Sequence, residues 1–270
     1  MSLSEAAQRH HERWFPNHAS SLKVTDPEFI EFFDTFAFDE VDAQVDLDDR
    51  ARLMVILAAL IASQALGEYK VMLRAALTVG VTPVEVKEIV YQAAPYCGIA
   101  VVHDFLHATN EILAGAGVKL PLAGQSTTTP ATRMARGLAV QKAIFGEAID
   151  RMREASPADQ WHLQDFLSSN CFGDHYTRTG LDLRMRELLT FSMLIALRGC
   201  EPQVKGHLQG NRQVGNDRRL LLGTITQLLP YLGYPRVLNA LRCLDDILPA
   251  SEQGGAPTAA RPANRTTGLA

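Results

Sequence analysis

An internal repeat constrains this chain of 270 residues more than any other feature of its sequence. The segment 180–248 resembles a stretch that starts near Asp46 when 135 is subtracted from each residue number. Identical residues then coincide without a gap at four pairs of positions: Gly215 and Gly80, Pro230 and Pro95, Tyr231 and Tyr96, and Gly233 and Gly98. Farther upstream the offset is 134, so the duplication continues there with one residue inserted or lost. The repeat predicts two units with the same fold.

The hydrophobic pattern of both copies is typical of helices. Residues 48–65 carry apolar side chains all round a helix, which indicates a helix buried inside a bundle. The TPVE motif at 82–85 is a capping box with proline at the first helical position, so a helix is expected to begin there. It is expected to stop at Pro95, because the residue before a proline is pushed out of the helical region. The predicted fold class is all-α, with two tandem helical bundles related by duplication.

Composition divides the chain into four segments. Residues 1–114 form the predicted first repeat, and residues 133–250, which begin with a long helix over 133–153, form the second. Residues 115–132 between them have little periodicity and much Gly, Pro, Ser and Thr, which is typical of a linker. Residues 251–270 have almost nothing to bury and are predicted to be a disordered tail.

The charge distribution limits the classes of partner. A formal net charge of -4, from 26 basic and 30 acidic residues dispersed along the chain, gives no long-range attraction for phosphates or anionic lipid. Nucleic acid and membrane are therefore not expected as partners. The N-terminus lacks the apolar core of a signal peptide, and the apolar runs are too short to span a bilayer. These features predict a cytoplasmic protein.

The motifs of the second copy resemble those of one protein family. Residues 186–215 read RELLTFSMLIALRGCEPQVKGHLQGNRQVG, with Arg-Glu-Leu before the apolar run and His207 eight residues before Gly215. This order is similar to that of the carboxymuconolactone decarboxylase family, whose relatives include alkylhydroperoxidase-like proteins. Single-repeat members of that family form rings of several subunits. The resemblance thus implies a homo-oligomer, expected to be a trimer of tandem chains.

The resemblance implies two possible sets of catalytic groups. The redox relatives use two cysteines three residues apart; Cys200 matches the first of them, Gln203 stands in place of the second, and His207 matches their histidine. In the decarboxylase branch, a glutamate four residues before the histidine places an acid and a base on one helix face. Here that pair is divided between the copies, because Glu68 is followed by Met72 and the histidine is preceded by glutamine.

One active site, on the second repeat, is therefore expected. In it His207 transfers a proton and Glu187, which is similar to the family glutamate that faces this histidine, orients or charge-balances it. Tyr231 or Cys200 is expected to line the substrate, and Glu68 joins if the two halves pack as neighbouring subunits do in single-repeat relatives. The other expected substrate-binding residues are Tyr96, Gln203 and His103.

Each candidate also has a purely structural interpretation. A lone histidine on a helix face is often a core residue bonded to a backbone carbonyl, and Tyr96 and Tyr231 would serve as wedges between helices. His103 and His107 lie four residues apart and could hold a metal, but two histidines alone do not make a ligand set, so no metal site is predicted. Cys200 precedes a helix N-terminus, which would lower its pKa if the thiol is exposed and reactive; the alternative is an inert, buried thiol.

Three functions remain open at this stage. The first is a cofactor-free lyase or isomerase, decarboxylase-like, that acts on a small carboxylated or lactone-type molecule by acid-base proton transfer. The second is a thiol-dependent peroxidase that uses Cys200 with a distant resolving cysteine. The third is a non-catalytic helical protein that binds a ligand. No cofactor is predicted, and the expected partner is a small-molecule substrate.

Overall fold

A computed structural model describes residues 4–16 and 20–250. Over these ranges the chain is helical and contains no β-strand, which confirms the predicted all-α class. The first repeat contains α1 (Glu5–Trp14), α2 (Leu22–Thr25), α3 (Pro27–Thr35), α4 (Asp49–Ala62), α5 (Leu66–Thr78), α6 (Pro83–Cys97) and α7 (Ile99–Gly115). The second contains α8 (Arg133–Phe145), α9 (Ala148–Glu154), α10 (Trp161–Phe166), α11 (Leu183–Ala196), α12 (Glu201–Gln213), α13 (Arg218–Gln227), α14 (Leu229–Leu232) and α15 (Tyr234–Ile247).

The duplication is visible in the helix bounds. Helices α5, α6 and α7 begin 135 residues before α12, α13 and α15, respectively. A π-helical segment follows α3 at Phe36–Glu40, and another follows α10 at Leu167–Tyr176. Short 3-10 turns occur at Asp42–Gln44 and Ala158–Gln160. The two halves therefore repeat one helical plan, as the sequence predicted.

Helix α6 begins where expected but does not end there. The Thr82 hydroxyl accepts a hydrogen bond from the Glu85 backbone N–H, and the Glu85 carboxylate accepts one from the Thr82 N–H. The prediction that the helix stops at Pro95 is wrong, because α6 continues to Cys97 and ends at Gly98 with φ of 80°. A proline this close to a helix C-terminus removes only one hydrogen bond of the last turns.

Prolines and glycines divide two other helices. The second-repeat counterpart of α6 is interrupted at Leu228, two residues before Pro230, and so forms α13 and α14, with Pro230 in the first turn of α14. The long helix expected over 133–153 is also divided, because Gly146 takes a left-handed backbone with φ of 62° between α8 and α9.

Helices α4 and α11 form the centre of the molecule. Each begins at an aspartate, Asp48 or Asp182, whose side chain accepts a hydrogen bond from a backbone N–H of the first turn. From their second turns onward nearly every side chain is buried, and the two helices pack against each other. Because apolar residues cover both helices all round, the two repeats share one hydrophobic core.

Each repeat also places a helix against the centre of the other. Helix α6 packs against α11 and against the π-helical segment Leu167–Tyr176 of the second repeat. Helix α13 packs in the same way against α4 and the 3-10 turn Asp42–Gln44 of the first. The two repeats thus exchange these helices, since each one packs against the other repeat. As a result Tyr96, near the end of α6, lies against the second repeat.

Hydrogen bonds hold the linker between the repeats against the second repeat. The Thr127 and Thr128 hydroxyls donate to the backbone carbonyls of Thr177 and Gly173, and the Thr179 N–H donates to the Gln125 carbonyl. In the described part of the chain, no helix is both long and apolar enough to cross a membrane. The predicted disordered tail, 251–270, lies outside the described residues.

Candidate active site

An imidazole and a buried carboxylate from two adjacent helices form the centre of the site. His207 lies on α12 and Glu187 on α11, and 2.9 Å separates His207 Nδ1 from Glu187 Oε2. The Glu187 side chain is fully buried, whereas 13% of the His207 side chain is exposed. A carboxylate that accepts from Nδ1–H fixes the imidazole tautomer and orientation, which leaves Nε2 for a ligand. The partner of His207 is thus not the backbone carbonyl of the core-histidine interpretation.

Two tyrosines and a threonine hold the other side of this carboxylate. The Tyr176 hydroxyl lies 2.9 Å from Glu187 Oε1 and donates to it, and it is 2.6 Å from Thr190 Oγ1. The Tyr96 hydroxyl lies 3.0 Å from the Tyr176 hydroxyl. Burial raises the pKa of both tyrosines well above the usual value, and the Glu187 charge adds to this effect, so both remain protonated donors.

Aromatic rings enclose the His207 imidazole. The Phe145 ring centroid lies 5.3 Å from it and the Tyr96 centroid 5.9 Å, both in edge-to-face arrangements. Asn211, one turn along α12, donates its amide to the backbone carbonyls of His207 and Glu187. These contacts limit the motion of the pair and reduce the access of water to it.

The polar chain continues from Thr190 into the first repeat. Gln92 of α6 donates its amide to Thr190 Oγ1 at 2.9 Å and accepts from Arg186 Nη1 at 2.8 Å. Arg186, fully buried, also donates to the Glu88 carboxylate at 2.9 Å. The site is therefore connected through hydrogen bonds to helix α6 of the other repeat.

Neither Asn211 nor this chain was predicted as part of the site. The only sequence signal was the occurrence of Gln92, Arg186 and Thr190 within otherwise apolar helices, which indicates buried polar groups but not their partners.

The corresponding place in the first repeat has different chemistry. Met72 occupies the position of His207 and is buried, and Arg52 occupies that of Glu187. Arg52 is paired with Asp42 at 2.5 Å and donates to Gln227 Oε1 at 2.8 Å. No acid-base pair is formed there, and the two halves differ chemically as the sequence indicated.

The structure separates Tyr231 and Glu68 from His207. The Tyr231 ring packs edge-on against Phe33 at 6.2 Å, and burial together with the Glu68 and Asp34 carboxylates raises its pKa. The expectation that Tyr231 lines the His207 pocket is therefore corrected. Because the repeats exchange helices, Tyr96 of the first repeat faces His207, and Tyr231 lies by Glu68 of the first repeat.

Cys200 lies in a cavity that does not include His207. The cavity has a volume of about 470 Å³ and is lined by Cys200, Val204, Cys243 and Arg236, among others. The Cys200 thiol donates to the Leu194 carbonyl at 3.1 Å, and burial, with a contribution from Glu201, raises its pKa. The lowered pKa expected beside a helix N-terminus is not found, because desolvation outweighs the helix dipole here.

The two remaining candidates lie on the surface. Gln203 is exposed on the first turn of α12. His103 is exposed on α7, where its Nε2 is 3.3 Å from His107 Nε2 and its Nδ1 is 3.3 Å from Asp104. The structure thus does not bring His103 to the His207 site. Among the described residues, no group of three or more His, Cys, Asp or Glu side chains is arranged to hold a metal ion.

Comparison with known proteins matches both repeats. The model of the carboxymuconolactone decarboxylase family matches residues 27–111 and 162–246. Over 116 residues the chain is 30% identical to a protein of Acinetobacter baylyi named 4-carboxymuconolactone decarboxylase, an alignment that covers 43% of this chain and 86% of that relative.

Proposed function

This chain belongs to the carboxymuconolactone decarboxylase family, and from that premise we propose that it is a lyase or isomerase that acts by proton transfer at His207. The substrate class is a small carboxylated or lactone-type molecule. The observation that carries the proposal is the His207 Nδ1 to Glu187 Oε2 contact of 2.9 Å, made with a carboxylate that is fully buried. The similarity to a protein named as a decarboxylase supports the same reaction class.

The geometry supports a proton-transfer cycle at one ring nitrogen. His207 Nε2 has no hydrogen-bond partner within the described residues, and it can accept a proton from a bound substrate and later return it. The imidazolium formed in between lies against the Glu187 carboxylate, which stabilises the positive charge. Tyr176 donates to the second carboxylate oxygen and holds it in place. Because His207 returns the proton that it accepts, the imidazole ends the cycle in its starting protonation state, and this cycle needs no cofactor.

A substrate screen followed by one substitution tests the proposal. Small lactones and aromatic acids would be incubated with the protein and their products identified by mass spectrometry. Replacing His207 with Gln keeps much of its shape but removes the base, so turnover is expected to fall by about 10² to 10⁴. His103→Gln, the same change at an exposed histidine, should leave turnover unchanged.

The His207 assignment fails if His207→Gln turns over the substrate within about threefold of the parent while both proteins unfold at the same temperature. It also fails if His103→Gln reduces turnover as much as His207→Gln does. The first result would mean that the imidazole at 207 serves packing alone, and the second that the loss is not specific to it.

A thiol peroxidase is the second candidate, and one observation favours it. Cys200 and Cys243 line the same cavity, so a resolving cysteine distant in sequence is available. Against it, burial raises the pKa of both thiols, which reduces the reactive thiolate fraction. Peroxide consumption with a dithiol reductant, lost in Cys200→Ser but kept in His207→Gln, would establish this function in place of the first.

A further inference from the structure

A cavity beside the linker encloses a cation without a matching carboxylate. Its volume is about 350 Å³, which suits a small molecule. Helices α6 and α7 form one wall and the linker forms the other. Its lining includes Lys87, Glu88, Tyr91, Asn110 and Arg178, together with linker residues 120–125.

Lys87 is the cation in question. It is only 9% exposed, its Nζ donates to Asn110 Oδ1 at 2.8 Å, and the same atom lies 5.1 Å from the centroid of the Tyr91 ring. Within residues 4–16 and 20–250 it forms no ion pair with a carboxylate. An ammonium group has three donors, and a buried charge is costly unless it is paired. Its hydrogen-bond acceptor among the described residues is a neutral amide, so apart from the Tyr91 ring no group balances this charge.

The only carboxylate in the cavity lining is already engaged. Glu88 is 1% exposed, and its two oxygens accept from Arg178 Nε at 2.9 Å each. Arg186, behind the lining, donates to the same carboxylate at 2.9 Å. The one carboxylate of the lining thus already pairs with two cations, Arg178 and Arg186, and Lys87 adds a third positive charge to the cavity wall. The excess is positive and faces a cavity with an aromatic wall, because the Arg178 guanidinium also lies 5.1 Å from the Tyr91 ring.

We propose that this cavity is a binding site for a small anion, a carboxylate or a phosphate, held by the Lys87 ammonium and the Arg178 guanidinium. An anion at this place would supply the missing counter-charge and accept charge-assisted hydrogen bonds from both groups. Neither Lys87 nor Arg178 contacts His207, and anion binding here does not require the proton-transfer function, although Arg178 shares the Glu88 carboxylate with the hydrogen-bond chain that leads to Glu187. The binding measurement below therefore succeeds or fails separately from the substrate screen.

Calorimetric titration of the full chain tests the proposal. Inorganic phosphate and sodium benzoate would be titrated separately at constant ionic strength into the parent, Lys87→Met and Lys119→Met. Lys119 is exposed and directly precedes the lining segment, so its variant removes the same charge without changing the cavity. The parent should bind at least one anion with one site per chain, and the preferred anion identifies the ligand class.

The two lysine variants should differ. Lys87→Met is expected to weaken binding by about tenfold or more, the usual cost of a lost charge-assisted hydrogen bond, and Lys119→Met by less than about twofold. Without added anion, Lys87→Met should unfold at the same or a higher temperature than the parent, because it removes an uncompensated buried charge and keeps an apolar stem. Added anion should then raise the unfolding temperature of the parent and of Lys119→Met, and raise that of Lys87→Met by much less.

Three results would overturn the proposal. The first is that the parent binds neither anion up to concentrations on the order of 10 mM. The second is equal binding by the parent and Lys87→Met. The third is an equal loss in both lysine variants, which would indicate nonspecific attraction to surface charge. The first result requires no variant, so the proposal can be rejected even if Lys87→Met does not fold.

Discussion

Single side chains distinguish the two repeats at the candidate site. His207 and Glu187 form an acid-base pair in the second repeat, while Met72 and Arg52 stand at the same positions of the first. The acidic member that the first repeat keeps, Glu68, lies close enough to Tyr231 for its charge to raise the tyrosine pKa. The Tyr231 hydroxyl oxygen is buried without a hydrogen-bond partner among the described residues. Glu68 therefore resides in an environment that does not stabilise its charge.

This environment predicts a pH-dependent effect of Glu68. Desolvation raises its pKa above the ordinary value of 4.5, so the folded protein binds this proton more tightly than the unfolded chain does. The associated stability is present below pH 4.5 and is lost as the pH rises toward the raised folded pKa. Glu68→Gln should therefore gain stability relative to the parent between pH 4.5 and 7, by less than about 1 kcal/mol because the side chain is partly exposed.

Urea unfolding of parent and variant at the two pH values measures this gain. Glu147→Gln, at a side chain that is 93% exposed, serves as the control and should show no pH-dependent difference from the parent. A Glu68→Gln variant that loses stability at pH 7 would show that the charged carboxylate is stabilised by its surroundings, contrary to this account.

The residues of the candidate site differ in how far the sequence alone predicts them. The sequence predicts His207 and Glu187 as site residues because their helices and spacing resemble a family pattern within one repeat. Tyr176 was not identified, because it comes from a π-helical segment whose position depends on packing against α8. Tyr96 was predicted as a site residue, yet its pairing with the second repeat depends on the exchange of α6 between the halves. Sequence spacing within one repeat carries no information about such an exchange.

At the level of elements, the close approach of α12 to its neighbours depends on one glycine. A Cβ atom added at Gly210 would lie 2.6 Å from Glu187 Oε2, 2.8 Å from the Phe145 ring and 2.9 Å from the Ile144 side chain. These distances are shorter than van der Waals contact, so α12 can approach α8 and α11 this closely only without a side chain there. The approach also determines the separation of His207 and Glu187.

Gly210→Ala is therefore expected to destabilise the protein by about 1 to 3 kcal/mol, the usual cost of overpacking, and to reduce any turnover that depends on Glu187. Gly206→Ala is a matched control on the same helix, because a Cβ there has nothing within 4 Å. It should be neutral or stabilising by up to about 1 kcal/mol, since alanine is the better helix former. Urea unfolding of both variants measures the difference, and equal stabilities would exclude a steric role for Gly210.

The whole molecule leaves apolar side chains exposed at equivalent places of the two repeats. Phe29 and Phe32 on α3 are 65% and 53% exposed, and Leu163 and Phe166 on α10 are 55% and 58% exposed. The second pair follows the first at the offset of 134 that applies to this part of the chain. Exposed apolar patches of this kind mark interaction surfaces. Two related patches on one chain fit a second copy of the chain as the partner. The α3 patch of one copy can then contact the α10 patch of the next.

A closed ring of chains would bury these patches, and we expect a homo-oligomer, most simply a trimer of tandem chains. Light scattering at micromolar concentration should then give the mass of three chains. Replacing Phe32 and Phe166 together with Glu places a charge in each patch, and this double variant should have the mass of a single chain. Leu238→Glu, at a side chain 50% exposed on α15, makes the same kind of change outside the patches and should keep the mass of the parent. A single-chain mass for the parent, or a double variant that remains associated, would show that α3 and α10 do not form the interface.

Because the His207 pair and its hydrogen-bond partners all come from one chain, the double variant should also keep the His207–Glu187 arrangement. Loss of association without loss of turnover would then separate assembly from catalysis.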